Sequence, residues 1–418
     1  MIRQAFPLVA LLVLAAGPAS AQDARPIGLD EALGRFAADN LELRLARSRA
    51  ERAAGVARQA GAFPNPSLNA THEPLSGGGG SYSETYLTAS QRLELSGSRG
   101  ARSDAGGRRR DAALELLRAD SLRLAFEVKR AYIETLLAQE RRAVTARIAG
   151  VFRTAAESAS ERFDAGDVSL YSLRRIRVER ARYETLLADT EMEVGSAQRL
   201  LAAVVAPTGS ETPLGAAPHP AAMPPAVPGG VLGLAAVEGR PELAAARAEV
   251  QAEEAQARLV RAERIPDLTA TGGFKRQSDG LRGVFLGLSV PLPVFDRGGG
   301  AVEAADAGLR AAEERLALTR RQLENDVLRA IEAYRTLLAR AGLLTEDPAG
   351  GDTDLLDMAL VAYGEGAMEL VELLDAADAL HEASIAEARL QASLWIAYFD
   401  LERALGGFDG PPARGDAP

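Results

Sequence analysis

From Gly283 to Phe295 the chain alternates with a period of two: Val284, Leu286, Leu288, Val290, Leu292 and Val294 are aliphatic, whereas the odd positions are mainly Gly, Ser and Pro. This spacing predicts a strand with one continuous aliphatic face, and about 10 residues suffice for a tilted strand to cross a bilayer. Leu87, Ala89, Leu93 and Leu95 alternate with Thr88, Ser90, Arg92 and Glu94 in the same way. Ser67 to Glu73, Glu84 to Leu95 and Asp267 to Lys275 are the other expected strands, the first two joined by the loop Gly77 to Gly80.

Elsewhere the pattern is helical. Helices are expected over Leu29 to Gly61, about Ala101 to Phe163, Val168 to Val205, about Val237 to Arg264, about Ala301 to Leu344 and Met368 to Leu405. Phe63-Pro64-Asn65-Pro66 ends the first, because Pro cannot continue a helix. At 1.5 Å per residue the Ala101 to Phe163 helix is roughly 95 Å long, and it is stable only if neighbours bury its apolar stripe. The Val168 helix covers about 57 Å and the Leu29 helix about 50 Å, so that end to end they would cover it. Leu173, Ile176, Tyr183, Leu187, Val194, Ala197, Leu201 and Val204 step by three, four or seven, as in a coiled-coil seam.

The elements recur at an offset of 200 residues. Pro66 and Leu68 lie over Pro266 and Leu268, Phe163 and Gly166 over Tyr363 and Gly366, and Leu201 over Leu401. The expected organisation is therefore a first repeat over 22–206, a Pro/Ala-rich linker over 207–230, a second repeat over 231–406 and a disordered tail over 407–418. In the second repeat Asp347-Pro348-Ala349-Gly350-Gly351 interrupts the long helix, where a small side structure is expected.

Composition narrows the class. Arg3, the apolar run Phe6 to Ala16 and Ala19-Ser20-Ala21 have the order of a secretory signal over 1–21. No stretch of 18 apolar residues follows, so a membrane is crossed, if at all, by a closed barrel. With no cysteine among 418 residues, disulfides, thiolate metal sites and lipidation at a mature N-terminal Cys are excluded. The net charge of −10 argues against a nucleic-acid partner. Four strands cannot close a membrane barrel. Two chains give eight, whose interior side chains fill, whereas three give twelve and leave a lumen. The expected fold is mainly α with a small β part: long coiled-coil hairpins plus four transmembrane strands per chain, forming a 12-stranded β-barrel and an α-helical barrel as a homotrimer.

The helix tips carry candidate chemistry. Phe163 to Gly166 and Tyr363-Gly364-Glu365-Gly366 each end a long helix with an aromatic and a Gly. Glu372 and Asp375, three apart, share a helix face and would repeat as acidic rings around a trimer axis, favouring cations; an ordinary solvated acidic face is the plain alternative. His72, His219 and His381 lie far apart, so no metal site or other cofactor is expected. Gly298-Gly299-Gly300 lacks the following Lys-Ser/Thr of a phosphate loop, and no nucleophile-elbow pattern supports an enzyme.

With these tips the chain resembles the TolC-like outer-membrane efflux family over essentially its whole mature length. The resemblance implies a periplasmic gate and selectivity filter at Tyr363, Glu372 and Asp375, and adaptor-docking tips at Phe163, Gly166 and Gly366. It also implies a periplasmic adaptor protein, an inner-membrane RND-type pump, outer-membrane lipid as surroundings, and no catalysis by the channel itself. Where the family's best-known member has an arginine and an aspartate in its gate, this chain has Met368 and Ser172, so that polar lock cannot form as such. Arg264-Ile265-Pro266-Asp267-Leu268 and Leu288 to Arg297 look most like the cobalt, zinc and cadmium resistance branch. Drug export and type I protein secretion remain open as cargo classes, and a non-transporting coiled-coil envelope spacer is the rival class.

Overall fold

The computed structural model describes residues 25–77, 80–205, 213–218, 223–225, 227, 233–345 and 352–407. The expected signal, most of the linker with His219, the side structure at 346–351 and the tail beyond Gly407 lie outside these residues. In chain order the elements are β1 (Arg25–Ile27), α1 (Leu29–Asp39), α2 (Leu41–Ala60), β2 (Ser67–Gly77), β3 (Gly80–Leu93), α3 (Ser98–Ala165), α4 (Leu170–Val205) and β4 (Leu214–Ala216). There follow a 3₁₀ turn (Leu234–Gly239), α5 (Pro241–Ala262), β5 (Leu268–Gln277), β6 (Arg282–Ser289), α6 (Gly299–Thr345), α7 (Asp352–Gly364) and α8 (Leu370–Leu405).

Several expected elements are altered: β2 and β3 extend to Gly77 and Gly80, beyond the expected Glu73 and Glu84, and α7 was not among the expected helices. The helix over Leu29 to Gly61 is two, because the Asn40 side chain accepts the Leu43 N–H at 2.9 Å and starts α2 afresh. The helix over Val237 to Arg264 begins at Pro241 after the 3₁₀ turn, with Pro in the first helical turn where its missing N–H costs nothing. The strand expected over Gly283 to Phe295 ends at Ser289, just where β5 starts opposite it at Leu268, and Pro291 and Pro293 lie in the irregular segment beyond. A short parallel pair of β1 and β4 was not foreseen; Gln139 clamps it by bonding both the N–H and the carbonyl of Ala216, and the Tyr132 hydroxyl donates to the Ala217 carbonyl at 2.6 Å.

The chain forms two compact units, and each draws on both halves of the sequence. One comprises Met1–Ala38, Ala131–Pro220 and Gly350–Arg389. Its core gathers Ile148, Phe152, Leu173, Ile176, Tyr183, Leu356 and Leu373 from α3, α4, α7 and α8. The other comprises Asp39–Arg130, Ala221–Ala349 and Leu390–Pro418, with a core around Val237, Leu243, Val327, Tyr334, Leu394 and Leu401. Here α2 and α3 approach closely because Gly106 faces Ala57 and Ala60; a Cβ at Gly106 would lie 2.9 Å from that of Ala60. Arg240, fully buried, donates to the Ala404 carbonyl at 2.7 Å and pairs with Glu242. It thereby satisfies an orphan acceptor at the end of α8 and complements the helix dipole.

The same unit holds a four-stranded antiparallel sheet in the order β2-β3-β5-β6. Because partners in register share a face, one face reads Leu68, Leu87, Phe274, Val284, Leu286 and Leu288, and the other Thr71, Tyr82, Glu84, Tyr86, Thr88 and Lys275. In the central strands Thr85, Leu87, Ala89, Phe274 and Arg276 are exposed, whereas Glu84, Tyr86, Thr88 and Lys275 are half-buried, as expected of a sheet curved around its polar face. Gly273 permits this curvature. A Cβ there would overlap the Leu87 carbonyl and come within 2.8 Å of Thr88 Cα. Gly273→Val should therefore cost ~2 kcal/mol or more and sharply reduce bilayer-inserted protein, whereas Gly283→Ala, with open space around it, should not; gel mobility of unheated against heated samples reads the difference.

Candidate functional site

Both hairpin tips are built by one capping device, 200 residues apart. Gly166 (φ +87°) donates its N–H to the Phe163 carbonyl at 3.0 Å, and Asp167 donates to the Arg162 carbonyl at 2.8 Å. Gly366 (φ +78°) donates to the Tyr363 carbonyl at 3.1 Å, and Ala367 donates to the Ala362 carbonyl at 2.8 Å. This is the Schellman pattern, in which only a residue tolerant of left-handed geometry can reverse the chain. The returning helices are started differently. In α4 the Ser169 hydroxyl accepts the Ser172 N–H at 3.1 Å; in α8 the Glu372 carboxylate reaches back to the Glu369 N–H at 3.0 Å.

The expected gate residues occupy distinct settings. Glu372 and Asp375 are exposed on α8, one turn apart, so both remain available to solvent although Glu372 also caps its helix. Tyr363 is only 2% exposed and packs in the core of this unit. Its hydroxyl has no partner among the described residues, and burial raises its pKa. Arg162 Nη1 donates to the Tyr363 carbonyl at 2.8 Å, and its guanidinium lies 5.6 Å from the ring centroid, which ties one tip to the other. Phe163 and Met368 are partly buried against the same core, and Ser172 pairs with Ser169 at 3.0 Å.

A polar cluster that sequence reasoning missed joins α4 to α8. The Tyr183 hydroxyl donates to Asp378 Oδ1 at 2.5 Å, and Arg182 lies 3.6 Å from Asp378 and 3.1 Å from Glu179. Tyr183 stacks on Phe152 at 4.9 Å and meets the edge of His381 at 5.5 Å, while His381 Nε2 lies 3.2 Å from Thr145 Oγ1. Burial, reinforced by the bond to Asp378, pushes the Tyr183 pKa well up; burial lowers that of His381. At neutral pH the phenol is therefore a firm donor and the imidazole stays uncharged. In the sequence Tyr183 was visible only as one more apolar seam position, since nothing local marks an acceptor 195 residues away.

At the sheet, the polar face centres on Glu84. Its carboxylate accepts from Lys275 at 2.8 Å, Gln277 at 2.7 Å, Tyr82 at 3.2 Å and the Tyr86 hydroxyl, stapling β3 to β5. Among the described residues no three His, Cys, Asp or Glu side chains are grouped to hold a metal ion, and no helix is long and apolar enough to cross a membrane.

The sequence profile described as OEP, outer membrane efflux protein, matches residues 32–204 and 233–407. The chain is 28% identical over 388 residues to the cobalt-zinc-cadmium resistance protein CzcC of Cupriavidus metallidurans, covering 92% of this chain and 91% of that protein. It is 27% identical over 312 residues to the nickel-cobalt-cadmium resistance protein NccC of Alcaligenes xylosoxydans, covering 74% and 70%. Among solved structures, the CmeC outer membrane channel of Campylobacter jejuni superimposes with a TM-score of 0.77 at 16% identity, covering 93% of this chain and 87% of that one. With both repeats matched by that profile, this chain belongs to the outer membrane efflux protein family, as a channel of the outer membrane with a periplasmic helical domain.

Proposed function

We propose that three copies of this chain close a twelve-stranded barrel continued by a helical tube, and that the duct exports heavy-metal cations. The observation that carries the reading is the aliphatic stripe of β6: Val284, Leu286 and Leu288 are 70%, 81% and 73% exposed on a sheet face without a single carboxylate. Only lipid makes such a surface favourable, and only closure by further strands satisfies the free backbone groups of β2 and β6. The cargo assignment rests on CzcC and NccC, both named for resistance to cobalt and cadmium.

In the trimer, exposed Glu372 and Asp375 form acidic rings at the narrow end, which attract cations without chelating them. The tips at Phe163, Gly166 and Gly366 dock a periplasmic adaptor, and an inner-membrane RND-type pump supplies the energy. With Met368 and Ser172 in place of the family's polar lock, closure relies on Arg162 against Tyr363 and on Tyr183 against Asp378.

A strain lacking this chain should become more sensitive to cobalt, zinc and cadmium in growth assays; unchanged metal sensitivity with heightened drug sensitivity would reassign the cargo. Glu372→Ala combined with Asp375→Ala should reduce cation preference severalfold in planar-bilayer reversal potentials, and an unaltered preference would reject the ring assignment. Tyr183→Phe removes one buried donor. It should lower stability by about 1–2 kcal/mol and raise the open-channel current at rest, measured by thermal unfolding and conductance.

A further inference from the structure

The lipid-side face of the sheet carries a row of polar and cationic residues that export does not use. His72 pairs with Thr85, Thr85 with Arg276 and Arg276 with Arg282 in direct cross-strand register, one residue from each of the four strands. His72 is occupied by Thr85, with Nδ1 to Oγ1 at 2.9 Å. The guanidiniums of Arg276 and Arg282 are exposed and have no partner among the described residues. Neither Asp nor Glu occurs among the register positions of this face; the sheet's carboxylates at Glu73 and Glu84 belong to the other.

Two like charges placed directly opposite repel, with Cβ atoms about 5 Å apart, so the pair costs stability unless an anion sits between them. Its depth explains which anion. The next row on the same face, about 7 Å along the strands, is Ala70, Leu87, Phe274 and Val284, and beyond it lie Leu68, Ala89, Gly272 and Leu286. The arginines thus border the apolar band. They border it at the end of the β5–β6 turn, away from α2, α3, α5 and α6, which is the outer side in a channel whose helices are periplasmic. At that depth a long arginine extends into the headgroup layer at little cost.

We infer that Arg276 and Arg282 form a binding site for the phosphate of a phosphorylated glycolipid in the outer leaflet. Two planar guanidiniums offer the paired donors that phosphate oxygens accept bidentately, and the apolar rows beneath hold the acyl chains. This contact fixes the barrel's height and stabilises the outer rim. The inference rests on the reading that this face meets lipid.

The test uses the purified full-length channel in detergent, titrated with diphosphoryl lipid A, with the same lipid dephosphorylated, and with inorganic phosphate. Bound lipid is counted by native mass spectrometry, and conductance is recorded from the same samples. Wild type should retain diphosphoryl lipid A, Arg276→Gln with Arg282→Gln should bind it about tenfold more weakly, and each single variant should lie between. Arg297→Gln should match wild type: Arg297 is exposed on the strand-to-helix turn, and although its carbonyl accepts from Arg264 Nε at 3.0 Å, its guanidinium has no partner among the described residues. Equal binding of the dephosphorylated lipid, equal occupancy by inorganic phosphate, or a double variant within twofold of wild type would overturn the site. Wild-type protein that does not conduct would instead overturn the channel reading itself.

Discussion

A backbone N–H or carbonyl facing hydrocarbon finds no water to bond, and each one left unpaired costs several kcal/mol. The sheet of this protein ends at β2 on one side and β6 on the other, each with an unpaired edge. Its outer face is aliphatic apart from the row His72, Thr85, Arg276 and Arg282, and its inner face gathers Lys275, Tyr82 and Tyr86 around the Glu84 carboxylate. In the proposed barrel the sheet is an arc with a lipid side and a water side. Closing that arc with equal arcs from other copies removes the edges and the exposed stripe together, and the trimer proposed above follows from the need for a lumen.

The same economy governs the helical part. The helices α3 and α8 run for 68 and 36 residues, and apolar residues such as Phe152 and Leu373 are buried against neighbouring helices, without which helices of this length would not hold their conformation in water. Small residues at close contacts, such as Gly106 against Ala57 and Ala60, let helices approach. Chain reversals are made by Gly166 and Gly366, where the left-handed conformation excludes most side chains. Arg240 on the Ala404 carbonyl and Tyr183 on Asp378 are buried polar groups that meet a partner. Among the described residues Ser98 Oγ, Arg141 Nε, Arg180 Nε, Asp267 Oδ1 and the Tyr363 hydroxyl are buried without a partner, and the last lies beside the tip, at the proposed gate.

Local pattern was enough for the strands' alternation, the helices' existence, the tips and the acidic pair, because each depends on residues within one or two turns of one another. The 200-residue offset made Gly166 and Gly366 legible as a matched pair, and the Phe163-to-Gly166 spacing carried the cap geometry with it. Even the break at Asn40 had its signal, an Asn three residues before Leu43, although periodicity ran through it.

Tertiary structure decided what depends on partners distant in sequence. Pairing with β5, which begins only at Leu268, ended β6 at Ser289 despite an alternation that continues to Val294. Packing from α3, α4, α7 and α8 buried Tyr363, and the meeting of α4 with α8 turned Tyr183 from a seam residue into a hydrogen-bond donor. Register across four strands placed His72, Thr85, Arg276 and Arg282 in one row, a neighbourhood invisible along the chain. Sequence alone fixes periodicity and turn chemistry, since these are short-range; which groups meet is set by burial and register, which exist only once the chain has folded.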